Sequence, residues 1–64
     1  MIVEARVQKN SDGLAQLTLN YDDGTIISKS NCNVLTTFRM LRSEGLVLVD
    51  KDITGLSVWE RVSN

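Results

Sequence analysis

Two Asp-Gly pairs, Asp12-Gly13 and Asp23-Gly24, cut the first half of the chain into short runs, and within the first two runs apolar and polar residues alternate. Val3, Ala5 and Val7 fall on one side, with Glu4, Arg6 and Gln8 on the other. Ala15, Leu17, Leu19 and Tyr21 then alternate with Gln16, Thr18 and Asn20. A period of two is that of a half-buried strand. Asp-Gly supplies the positive-φ positions of a tight turn between strands. The third run, Thr25 to Lys29, is rich in β-branched residues, which suit a pleated surface. These features predict an antiparallel meander.

The period then changes. Val34, Phe38 and Leu41 recur at helical spacing, flanked by Leu35, and predict a helix over roughly 31–44. Ser30, Asn31 and Asn33 offer N-cap oxygens. Gly45 is a natural stop, and Arg39 and Arg42 lie toward the negative end of the helix dipole. Thr36, Arg39 and Ser43 should be exposed, with Met40 at the border. Leu46-Val47-Leu48-Val49 reads as a strand covered on both faces. After a turn over Asp50 to Gly55, Leu56, Val58 and Val62 form one face of a last strand, and Ser57, Trp59 and Arg61 the other. The expectation is an α+β fold over a single domain, residues 1–64, in which a small antiparallel sheet of β-β-β-α-β-β order carries one helix packed across it. Val3, Val7, Leu17, Leu19, Val34, Phe38, Leu41, Leu48 and Val58 should be buried.

A domain of 64 residues buries only about 60% of the surface its unfolded chain exposes. Domains this small usually need a staple or a partner. Cys32 is the single cysteine and there is no histidine, so an internal disulfide and a structural zinc site both lack their ligands. The double-sided apolar run Leu46–Val49 needs more cover than one helix gives, which points to a homodimer.

The same composition narrows the chemistry. Without histidine there is no Ser-His-Asp or Cys-His arrangement. Asp22-Asp23 and Asp50-x-Asp52 lack the length of a calcium loop and read as turn residues. Cys32 reads as a small capping-turn or core residue. The glycines match no phosphate loop or dinucleotide fingerprint. The expectation is therefore no enzyme, no cofactor and no metal. No apolar run reaches membrane-span length, and the opening Met1-Ile2-Val3-Glu4-Ala5-Arg6 is not a secretory signal; with a lone thiol this points to the cytoplasm.

Ser30 to Val47, with Ser30, Val34, Phe38, Leu41, Glu44, Gly45 and Leu46 in matching positions, resembles the recognition helix and wing entry of winged-helix bacterial regulators. The resemblance implies DNA binding through this helix and the following hairpin, although three strands stand where two helices usually precede it. Net charge is −1, but residues 25–45 carry Lys29, Arg39 and Arg42 against Glu44 alone. Two functions follow. The first is a non-catalytic protein-binding accessory factor of inhibitor or adaptor type, acting as a homodimer, with Trp59, Arg61 and Ser57 as partner-binding candidates, since Trp and Arg are enriched among interface hot spots. The alternative is a DNA- or RNA-binding regulator using Lys29, Thr36, Arg39 and Arg42 on phosphates.

Overall fold

The three tight hairpins share one construction. In Asn10–Gly13, Tyr21–Gly24 and Asp52–Gly55 the glycine amide donates back to the carbonyl of the first residue, and that residue's amide donates to the carbonyl just beyond the glycine. Each glycine has φ between 84° and 94°, which completes a type I turn with a glycine bulge. An aspartate locks each loop. Asp12 accepts from the Leu14 amide and Asp23 from the Thr25 amide, both at 2.9 Å. Asp52 accepts from the Thr54 amide (2.9 Å), the Thr54 hydroxyl (2.6 Å) and the Leu56 amide (3.1 Å).

The computed structural model describes residues 1–62. The elements are β1 (Ile2–Lys9), β2 (Leu14–Tyr21), β3 (Ile26–Asn33), α1 (Val34–Ser43), β4 (Leu46–Lys51) and β5 (Leu56–Arg61). They form one antiparallel five-stranded sheet in the order β3-β2-β1-β5-β4, the α+β class expected. Successive antiparallel pairings make β3 and β4, the two edges, parallel to each other. α1 must therefore cross one face of the sheet diagonally, and it touches β2, β3 and β4 on the way. Ten residues of helix reach about 15 Å, less than the roughly 19 Å between the outer strands of such a sheet. The Glu44–Gly45 stop, with Gly45 at φ 86°, makes up the distance.

The helix begins at Val34 rather than near residue 31. Asn33 is its N-cap and accepts from the Thr36 amide at 3.0 Å. Residues 30–33 instead finish β3, because a bulge lets the strand continue: Ala15 and Leu17 of β2 pair with Cys32 and Lys29, leaving one extra residue on β3. Asn31 absorbs the kink at φ 58°, a conformation asparagine tolerates.

The core lies between sheet and helix. It comprises Ile2, Ala5, Val7, Ala15, Leu17, Leu19, Leu41, Leu46 and Trp59, with Val34, Phe38, Met40 and Cys32 packed against it. Val7, Leu17, Leu19 and Leu41 are buried as expected; Val34 and Phe38 are half-buried. Val3, Leu48 and Val58 depart from the expectation, each for a visible reason. A bulge in β1 between Ile2 and Glu4 gives Val3's inward place to Ile2. Leu48 points to the helix side but sits on an edge strand with no neighbour on its outer flank, 45% exposed. Val58 pairs with Arg6 on the face that no helix covers.

The loop-locking aspartates give an acid limb to stability. The carboxyl of Asp52 is held below the ordinary aspartate range chiefly by the Thr54 hydroxyl, and that of Asp23 chiefly by Thr25. A depressed folded-state pKa contributes stability above the unfolded value that is lost as pH falls through the folded one. The thermal midpoint should therefore drop below about pH 4, and Asp52→Asn should make that drop shallower. Identical acid limbs in the two proteins would refute the role of Asp52.

Candidate partner-binding site

Strand register assigns every sheet residue to a face. Ala5 and Val7 of β1 are buried and pair with Trp59 and Ser57 of β5. Ser57 and Trp59 thus turn toward the helix, and Leu56 and Val58 turn away. The division of β5 into two faces follows the sequence expectation, but the buried face is that of Trp59.

Trp59 is 1% exposed. Ala5 beside it has only a methyl group and leaves the space to the indole. Its ring meets Phe38 at a centroid distance of 5.1 Å and an interplanar angle of 41°, and the Arg42 guanidinium carbon lies 5.5 Å from the ring centroid. Its Nε1–H donates to the Ser57 hydroxyl at 3.0 Å, and Ser57 donates to the Val7 carbonyl at 3.4 Å. Among the described residues no buried side-chain nitrogen or oxygen lacks a partner. Arg61 is held as well: its Nε donates to the Ile2 carbonyl at 2.8 Å. Trp59, Ser57 and Arg61 therefore work inside the protomer, and the first two are too deeply buried to present a surface to a partner.

The nucleic-acid candidates are divided. Thr36 and Arg39 lie on the exposed side of α1. Arg42 leans over Trp59, and Lys29 stands on the β3 edge, paired with Leu17 on the helix side. The helix-turn-helix implied by the winged-helix resemblance is not formed, because β1, β2 and β3 precede α1. The would-be wing is no free hairpin either: β5 pairs along β1 inside the sheet.

Two surfaces emerge, the first of which takes in part of the apolar run Leu46–Val49 that pointed to a homodimer in the sequence. On the open face, the β1–β2 half is polar, built of Glu4, Arg6, Gln8, Gln16, Thr18 and Asn20. The β4–β5 half carries Val47, Leu56 and Val58 in register with them, together with Asp50 and Glu60. On the helix side, beside β4, Phe38, Leu48 and Ile53 line a groove of about 410 Å³ flanked by Lys9 and Lys51. An isoleucine at a turn tip, between Asp52 and Thr54, was the sequence signal for the groove. Cys32 is half-buried against the core, and no group of three or more metal-ligating side chains occurs among the described residues. No described helix is long and apolar enough to cross a membrane. Comparison of the chain with protein-family models, with characterised proteins and with solved structures finds no match.

The seat of Trp59 makes two expectations. Its emission should be blue-shifted and resist iodide quenching. Trp59→Ala should cost about 3–5 kcal/mol, enough to unfold a domain of this size; a variant that keeps its thermal midpoint would place Trp59 outside the core.

Proposed function

We propose that the chain is a small, non-catalytic protein-binding factor of the inhibitor or adaptor type that acts as a homodimer. One observation carries the reading: on the β4–β5 half of the open face Val47, Leu56 and Val58 stand between Asp50 and Glu60, and no part of the described chain covers them. Antiparallel sheets that face water on one side normally alternate apolar-in and polar-out. The β1–β2 half obeys this rule and the β4–β5 half departs from it at Val47, Leu56 and Val58. Val47, Val49 and Val62 are 43%, 49% and 57% exposed, and Leu56 and Val58 are half-buried. Packing the stripe face to face on its own copy, at the usual sheet spacing of about 10 Å, covers both stripes through one two-fold axis.

A second reading, binding of DNA or RNA in a cytoplasmic regulator, draws on the placement of charge. Of the seven lysines and arginines, all but Arg6 belong to the helix or to strand positions on the helix side. Phosphate binding through them would fall steeply with added salt, whereas the apolar stripe is insensitive to it.

Sedimentation at micromolar concentration should give a particle of about twice the 7.1 kDa chain mass. Val58→Lys, on the open face, should give a folded monomer with unchanged circular dichroism. A wild-type protein that sediments as the single chain would overturn the dimer. Mixed-sequence DNA bound with a steep salt slope would favour the second reading.

A further inference from the structure

We propose that the two copies of the dimer stack with their two-fold axis running along β5, so that Arg6 of each protomer pairs with the partner's Asp50 across the apolar stripe. The proposal rests on the homodimer reading and adds the orientation of the second copy and the charges that select it.

Strand register rules the open face into rows. One row runs Thr18, Arg6, Val58, Asp50 across β2, β1, β5 and β4. The next, toward the Ile2 end of β1, runs Asn20, Glu4, Glu60, Val47. On the other side of the first row stand Gln16, Gln8 and Leu56. Val58 therefore has a base on one neighbouring strand and an acid on the other, each strand about 4.8 Å away. Both charged residues are exposed. Arg6 meets Glu4 through its Nε, at 3.2 Å, which leaves the two terminal guanidinium nitrogens to a second acid. Asp50 has no ion pair among the described residues.

Two sheets stacked face to face on a two-fold axis can be turned in two ways. An axis across the strands keeps each strand over its own copy, β1 over β1 and β4 over β4. Arg6 then never meets Asp50, whatever the register, and the open face of β4 offers Asp50 no base. An axis along β5 exchanges the flanks instead. Val58 lies over Val58 and Leu56 over Leu56, β1 lies over the partner's β4, and each Arg6 faces the partner's Asp50. At an aligned sheet spacing of about 10 Å the long arginine stem crosses most of the gap. Symmetry makes two such pairs at once, and opposite charges placed this way fix orientation and register. One like-charge contact remains, Glu60 over Glu60, at one end of the stripe.

Sedimentation equilibrium on charge-reversed variants tests the axis. Arg6→Asp and Asp50→Arg should each weaken the dimer by about tenfold or more, since two attractive pairs become two repulsive ones. An equimolar mixture of the two single variants should form a heterodimer near wild-type strength, and the double variant Arg6→Asp/Asp50→Arg a homodimer near it. Glu60→Gln should tighten the wild-type dimer by removing the like pair on the axis. Circular dichroism reports whether each protomer stays folded. Where Arg6→Asp, which sets an acid beside Glu4, does not, Arg6→Gln should recover part of the affinity lost in Asp50→Arg. A wild-type dimer indifferent to both single reversals, or a double variant no stronger than its parents, would overturn the axis and leave the dimer standing. A monomeric wild type would overturn both.

Discussion

The protomer is organised around one large side chain. Trp59 fills the space between sheet and helix that Ala5 leaves open, and Leu48 pairs with it from the other neighbouring strand. An indole buried this deeply must satisfy its N–H or lose about 1–3 kcal/mol. Ser57, two residues earlier on the same strand face, provides the acceptor and donates its own hydroxyl hydrogen bond to the Val7 carbonyl. The arrangement is local, polar and closed. It lets an otherwise thin core of valines, alanines and leucines hold a five-stranded sheet with a single ten-residue helix.

The same arrangement explains what the sequence concealed. Hairpins and strand order were legible, because the Asp-Gly and Thr-Gly loops and the period-two alternation agree with each other. The helix was legible from Val34, Phe38 and Leu41. The buried face of β5 was not. Leu56, Val58 and Val62 outnumber the single tryptophan in any count of apolar residues, yet Trp59 alone fills more core volume than either of the valines, and Ser57 looks polar only until its bond to the indole is seen. Val3 misled for another reason. A bulge without a glycine leaves no mark in the sequence, and a single extra residue reverses the facing of every position on one side of it.

The functional surfaces lie where local pattern and global topology disagree. The leucine and valines left outside on β4 and β5 are consistent with strand propensity and inconsistent with solvent, and that mismatch makes them candidates for contact. The basic side chains are a similar case. Scattered along the chain, they gather on the helix side only once register is known, which is why the net charge near zero gave no hint of them. The pair lining the groove, Lys9 and Lys51, come from strands that are not neighbours, so no window of sequence could have joined them.

The position of β1 has a consequence for how the chain reaches this state. The first strand lies at the centre of the sheet, with β2 on one side and β5 on the other. The β1–β2–β3 meander can form early from neighbouring segments, but Ala5 and Val7 stay exposed on one flank until β5 arrives from about fifty residues away. Contacts this distant in sequence are slow to close. The tryptophan that seals the core belongs to the strand that makes these longest-range contacts.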